Sequence, residues 1–544
     1  DLRAGPCCCD HLKSTMQSPL YEGDSCNDES AGSDSAESVE DSLPMNHLSS
    51  DVPEKLVRAV KPLLVTSGFG RKFACKTGSF AETEADYSKS LAVAKIDDFI
   101  SHSWQTERWT KFLAVCMVYN MPAAAVLSWL AALLVLVLQL EVFSVLPRSV
   151  TFQVKHGGEV FHCTYSYLGL VLCPCIFLFI SIFWQYICLP TMVFVDKFCI
   201  HQSNQKLKQD GIRGIAGILR HSERLVVLWT ESYFTRLWCT YELASWVYLG
   251  KSRIRFVPVS FAALACLLMF SLYAELVLGA AWEAQTGSIP VWLVFGTWMI
   301  FSLVGAVFAQ APVRELSSLP RQLAEFSVQK THCFCCDHNH INPSTSERIL
   351  CDRSLVYDAL KGWFSEQSES SESSDSSDSG EKHHLRFFDR EVRKILHGSM
   401  LPGSYRVAYK DALVLTSPSV WFYVPRAVYL ETMPPLEWAR WALFIVSMIF
   451  AAMPCAYQIY FILSSFSERV VVGSSRSWPL RGLSIALSTV CIFCTFMFGW
   501  ALAAFPLYFC TEPIYSIYTS SFLAILTAIL YGGCYLRRLL CLRP

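Results

Sequence analysis

The sequence predicts a two-part architecture, an α/β module joined to a membrane-embedded all-α bundle of about seven transmembrane helices. Three observations lead there. Seven stretches long enough to cross a bilayer carry almost no charge, the segment between the second and third of them alternates apolar strands with helical periods, and charge is crowded into the connections.

A bilayer core takes about 20 apolar residues of helix. The stretches that reach this length are roughly 121–142, 165–189, 257–280, 289–311, 439–463, 482–509 and 513–536. Only 17% of the 544 residues are charged against 53% hydrophobic, and the runs 284–313 and 482–511 contain no Asp, Glu, Lys or Arg. Buried helices of soluble proteins are seldom that long and that uniform. Trp282, Trp292, Trp438, Trp441, Tyr508 and Tyr535 sit near the ends of these runs, as interfacial aromatics do. Acidic and basic residues nearly cancel, at 46 against 45, so charge gives no reason to expect nucleic acid as a partner. The expected partner is the lipid bilayer, and which membrane is left open.

Basic residues set the orientation. They are frequent in 197–255 and 314–426, whereas 143–164 has only Arg148 and Lys155, and 281–288 has none. The first four spans therefore fit an N-terminus in the cytosol, with the α/β module and 312–438 on the same side. The last three do not follow. Arg469, Arg476 and Arg481, then Arg537, Arg538 and Arg543, would fall on the outer side if all three spans cross. Either one of them is re-entrant or the charge rule is overridden here. This conflict stays open on sequence alone.

Between the spans, composition divides the chain. Residues 1–50 are rich in Ser, Asp, Glu and Gly and are expected to be disordered, with Cys7, Cys8 and Cys9 a candidate lipidation run. Segment 51–120 leads into the first span, 121–189 forms a membrane hairpin, and 190–256 reads as short strands at 193–195, 225–229 and 254–259 with helices at 211–221 and 237–248. Such alternation implies a parallel sheet with helices on its faces. The strand lacking from its start is supplied by 96–101. After 257–311 come a Cys/His-rich region at 312–364 with a helix near 357–364, a Ser/acid linker at 365–384, a juxtamembrane region at 385–438 with a helix near 387–396, and a three-helix bundle at 439–536. The linker suits acid-directed kinases or serves as a solvated spacer.

These pieces resemble a Toll/interleukin-receptor (TIR) domain, a flavodoxin-like parallel sheet. Asp98-Phe99-Ile100-Ser101-His102-Ser103 is similar to its opening strand, 106–120 to its first helix, 193–196 to its second strand and 197–211 to its contact loop. Residues 225–229 with Glu231-Ser232-Tyr233 resemble the third strand and its exit, and Phe256-Val257-Pro258-Val259 the fourth strand. The most specific likeness is Trp238-Cys239-Thr240-Tyr241-Glu242-Leu243, the Trp-Cys-x-x-Glu-Leu of plant-type members. Two departures stand out: a membrane hairpin interrupts the sheet, and the third span begins where a fifth strand belongs.

The resemblance implies two classes of function. In members that cleave NAD, a Glu at the position of Glu242 assists loss of nicotinamide by stabilising positive charge on the ribose, which would make Glu242 the catalytic residue and NAD the substrate. Other members only bind one another, which implies self-association or contact with other TIR-like domains. Ser101, His102, Lys197 and Trp238 are the binding residues the resemblance singles out. Independently, His332-Cys333-Phe334-Cys335-Cys336-Asp337-His338-Asn339-His340 with Cys351 offers soft and imidazole donors for a tetrahedral structural zinc, and Cys333, Cys336, His338 or His340, and Cys351 form the expected set. A channel or transporter is the third reading, but ionisable groups inside the spans amount to little more than Glu275. The expectation is a membrane-anchored signalling or assembly protein.

Overall fold

The computed structural model describes residues 52–539 apart from short interruptions, the longest at 370–382 and 469–477. Segment 1–50, its cysteine triplet and most of the Ser/acid linker lie outside the described residues. Strand β1 (Ile96–His102) is buried at every position but Asp97. A strand covered on both faces is a near-continuous apolar run, as parallel sheets require. It pairs in parallel with β2 (Val193–Phe194), setting Asp98 against Val193 and Phe99 against Phe194, and with β3 (Ser222–Trp229), setting Phe99 against Leu225 and Ser101 against Val227. Strand β4 (Ile254–Pro258) pairs in parallel with β3. The sheet order is β2-β1-β3-β4. The helix expected over 211–221 is broken at Gly214 into Gln205–Arg213 and Ile215–Arg220. Strand β4 ends at Pro258, which has no amide hydrogen to offer a further partner, and Val259 begins a helix at once.

The sheet is fastened to the membrane bundle where its strands start. Helix α1 (Arg108–Tyr119) runs back along the sheet, and helix α2 (Met121–Gln139), the first span, follows it after Asn120. The Tyr119 hydroxyl donates to the buried Asp98 carboxylate at 2.8 Å, and Arg224 of β3 grips the same carboxylate through Nε at 2.6 Å and a terminal nitrogen at 2.7 Å. Helix α3 (Leu168–Ile187) brings the chain back, and the Met192 amide donates to Asp97 Oδ2 at 2.7 Å just before β2. The far end of this hairpin carries an antiparallel ribbon, Val150–His156 with Glu159–Tyr165, which the sequence reading did not anticipate.

Among the described residues, seven helices are long and apolar enough to cross a membrane: Met121–Gln139, Leu168–Ile187, Val259–Thr286, Phe295–Ala324, Pro435–Ser467, Pro479–Ala504 and Ile514–Gly532. They leave large apolar side chains such as Leu134, Phe179, Phe308, Phe498 and Ile525 exposed, as lipid contact demands. The fifth, containing a π-helical turn at Met448–Ala452, is the most deeply covered.

An eighth passage runs through the bundle where sequence placed a one-sided juxtamembrane region. Near the sheet, Asp411 accepts from Arg255 at 3.1 Å and the Tyr409 ring meets Tyr531. From there Tyr409–Leu415, Ser417–Arg426 and the 3-10 turn Ala427–Thr432 reach the far end. There Arg426 makes two 2.7 Å bonds to Glu283, and Glu431 accepts from Arg148 at 2.5 Å. The break at Thr416 is sealed by protein: Tyr457 donates to the Leu415 carbonyl at 3.1 Å, Trp129 to Ser417 at 3.0 Å, and Trp421 to Ser128 at 3.0 Å. Broken helices persist at membrane depth only where neighbours satisfy the freed groups.

This extra passage resolves the charge conflict. The fifth span now returns to the sheet side, where Glu468 pairs with Arg314 at 2.7 Å. The next span starts there with Trp478 and Arg481, and Arg537 and Arg538 end the last one there. A cysteine introduced at Arg476 is expected to react with a membrane-impermeant maleimide from the same side as one introduced at the exposed Lys361. Labelling from opposite sides would return the count to seven.

Candidate functional site

In open α/β sheets, ligands gather beyond the carboxyl ends of the strands, where the strand order reverses. Here the reversal lies between β1 and β3, which carry Ser101, His102 and Ser103 on one side and Thr230, Ser232 and Tyr233 on the other. Ser101 Oγ lies 2.6 Å from the Tyr233 hydroxyl, Ser103 Oγ lies 3.4 Å from Ser232 Oγ, and Thr106 donates to Thr230 at 3.3 Å. Beyond β2, Asp196 accepts from the Trp104 indole at 2.5 Å and lies 3.9 Å from His102 Nε2. Burial holds the His102 imidazole down at about 4, against the pull of the Asp196 carboxylate. Lys197 stands with its ammonium 5.9 Å from the centre of the Trp104 ring.

Helix α4 (Leu237–Tyr248) brings Glu242 beneath this edge. Its side chain hydrogen-bonds Ser101, while Oε2 is sheltered without a partner among the described residues. Burial pushes the carboxyl up to about 8, and the Ser101 contact opposes this without undoing it. A carboxyl in that state is neutral at pH 7. Ser101 and Glu242 therefore meet, with Tyr233 and the Cys239 carbonyl in the same cluster. Trp238 does not join them: its indole turns outward to Asp352 at 3.2 Å.

That contact belongs to a cap over the same end of the sheet. Backbone bonds join Leu237 and Thr235 to His332, and helices α5 (Asp352–Glu369) and α6 (His383–His397) pack on α4, with Trp363 stacked on both Tyr241 and Tyr248. Within the cap, donor atoms of Cys335, Cys336, His340 and Cys351 all lie within 4.8 Å of one another. Cys336 Sγ is 3.8 Å from His340 Nε2 and 3.8 Å from Cys351 Sγ. The set differs from the expected one at Cys333, whose place Cys335 takes, and of the two histidines left open it uses His340. Cys333 turns inward, 3.0 Å from Cys335 and grouped with Asp352, and His338 folds back so that its Nδ1 lies 2.9 Å from the Phe334 carbonyl, its ring on the Phe334 ring. The reason is local. Asn339 and His340 both take positive φ, which turns the chain and delivers His340 rather than His338 to the thiols.

Sequence reasoning missed Asp196, Tyr233, Cys335 and Asp352. Asp196 and Tyr233 had a readable signal, since each opens a short turn just beyond the end of a parallel strand, where polar groups collect. Cys335 and Asp352 had none, because their placement depends on the turn. Compared with known proteins, the chain matches no family model, no curated protein and no solved structure.

Glu242 fixes a pH dependence. Above its ordinary value of 4.5 the unfolded chain has released a proton that the folded chain keeps until about 8, so stability falls as pH rises through that window. His102 acts oppositely and lower, between its ordinary 6.5 and about 4, where stability falls as pH falls. Glu242→Gln is therefore expected to flatten the loss of thermal midpoint above pH 6.5. Parallel profiles for variant and parent would show that the carboxyl is not held neutral.

Proposed function

We propose that the chain is a membrane-anchored signalling or assembly protein acting through a TIR-like module on the cytosolic side. The observation that carries this reading is the register of β1 between β2 and β3, two segments separated in sequence by a membrane hairpin. The order β2-β1-β3-β4 agrees with the first four strands of a flavodoxin-like sheet, and the family-like residues Ser101, Tyr233 and Glu242 cluster at one edge. Sidedness is supported by basic residues. The far side holds Arg148, Lys155, Arg426 and Arg440, while the sheet side holds the clusters that mark a cytosolic face.

Binding is favoured over NAD hydrolysis by the state of Glu242. Stabilising a ribose cation takes an ionised carboxylate open to the nucleotide. A sheltered, neutral carboxyl under a packed cap is suited to holding the helix in place. The contact surface lies with helix Gln205–Arg213, whose Lys206 is exposed. Two differently tagged copies of the full chain are expected to co-purify from membranes, with recovery falling severalfold on Lys206→Glu, and no nicotinamide should be released from NAD. Nicotinamide release that disappears in Glu242→Gln would replace this reading with the hydrolase.

The cap would hold its shape through zinc. Three thiols and one imidazole match the donor chemistry of a closed tetrahedral site, which contributes to folding rather than to reaction. The residues that would hold the ion are Cys335, Cys336, His340 and Cys351, and it would fix the turn that carries Asp352 to Trp238. Purified protein is expected to contain about one equivalent of zinc, lost in Cys336→Ser and in His340→Ala but retained in His338→Ala. Retention in the first two would refute the site.

A further inference from the structure

The opposite edge of the sheet, where the strands start, carries an open cavity of about 560 Å³ that none of the chemistry above uses. Its lining includes Lys95 before β1, Arg220, His221 and Glu223 around the start of β3, and Lys251 and Arg253 before β4. Four cations thus face one carboxylate. Glu223 takes Lys95 at 2.5 Å. Lys251 is fixed in position, its ammonium donating to the Leu219, Arg220 and Ser222 carbonyls, so it acts as a set charge at the end of the short helix Ile215–Arg220. Arg220 and Arg253 are exposed at the rim.

The position of this cavity follows from the hydrogen bonds beside it. The Ile96 amide donates to the His221 carbonyl at 3.0 Å and the Asp97 amide to the Met192 carbonyl at 2.9 Å. Met192 follows α3 closely, and the last turns of α3 carry Trp184 and the exposed Tyr186, residues that settle at headgroup level. On the other side of β1, Asp98 is bonded to Tyr119, next but one to the start of the first span. The starts of the strands therefore stand at the bilayer surface, and the cationic cavity opens at that level.

We infer that this cavity binds the phosphorylated headgroup of an anionic lipid in the leaflet on the sheet side. Size, charge and depth agree. The volume falls within the range of small-ligand sites. Guanidinium groups at Arg220 and Arg253 match phosphate oxygens in geometry as well as charge. Basic side chains beside a membrane meet a high local concentration of acidic headgroups. Glu223 gives the site its selectivity, since a weakly charged headgroup cannot displace it from Lys95 while a multiply phosphorylated one can. The inference requires the bilayer placement alone and is independent of the TIR-like reading.

The test uses the full chain in detergent, titrated with phosphatidylinositol bisphosphate or phosphatidylcholine and read by native mass spectrometry. The phosphorylated lipid is expected to bind in preference, with affinity falling roughly thirtyfold in Arg220→Gln/Arg253→Gln, about fivefold for each basic residue near an anionic surface. Glu223→Gln should bind the same lipid more tightly, an outcome that damage to the fold would not produce. All three positions are exposed, so thermal midpoints should hold. Equal binding by parent and double variant would overturn the inference, as would equal binding of the two lipids. If inorganic phosphate displaces the lipid at comparable concentration, the site is one for free phosphate and the lipid assignment falls.

Discussion

The Asp98 carboxylate is the point on which this architecture turns. It lies buried at the start of the central strand and accepts from Arg224 on one neighbour and Tyr119 at the head of the first span. A charge placed there without partners would cost several kcal/mol, so the strand, its neighbour and the membrane helix are held to one relative position. A buried ion pair gives little net stability compared with an apolar replacement, but it penalises every arrangement that separates its members. Beside it, Asp97 takes the Met192 amide and sets the returning end of the hairpin. Two acidic residues in succession thus fasten both legs of the hairpin to the sheet it interrupts. The parity of crossings does the rest: β1 and β2 can be neighbours only because the chain between them goes out and comes back.

How much of this was legible follows from what hydropathy reports. It measures the tendency to face lipid. The seven long helices do so, and most of their ends could be read within a few residues, although the fourth runs on to Ala324, well past the 311 that hydropathy suggests. The alternation of strands and helices after the second span was legible for the same kind of reason, since a strand such as 225–229 buried on both faces has no polar side to confuse the pattern. The passage at 409–432 was not. From Asp411 to Phe422 it is buried in protein at every position but Leu413, so it can contain Asp411, Ser417 and Pro418 without meeting hydrocarbon. The exposed Lys410 lies at its sheet end, and the half-buried Arg426 is held by Glu283 at the other. What betrayed it was a contradiction elsewhere, in the arginines after 468, and resolving that contradiction needed contacts at both ends of the segment.

The cluster of cysteines and histidines shows a second limit. Residue types announced soft donors, but which of them converge depends on backbone torsions at Asn339 and His340. Positive φ at successive non-glycine residues is uncommon, and no spacing rule anticipates it. The candidate site at the carboxyl edge was partly legible because it is carried on regular elements: Ser101 on a strand and Glu242 on a helix have fixed directions once the sheet is assembled. Trp238 shares that helix but is drawn away by Asp352, which comes from the cap more than a hundred residues later.

The two edges of the sheet have exchanged their usual work. Parallel strands normally offer ligands their carboxyl ends, where loops are free to vary. Here that end is covered by a packed cap, with Trp363 stacked on Tyr241 and Tyr248 and the nearby carboxyl of Glu242 kept neutral. The starting edge, normally the plain one, is the edge to which both legs of the hairpin are fastened, and it keeps its basic residues in an open cavity. With the bilayer placed as proposed, the module would meet a lipid surface with one edge and hold its cap away from it. Contact between copies through the exposed Lys206 of helix Gln205–Arg213 would then leave the strand starts free, and lipid charge there would bear directly on the strands that carry that helix.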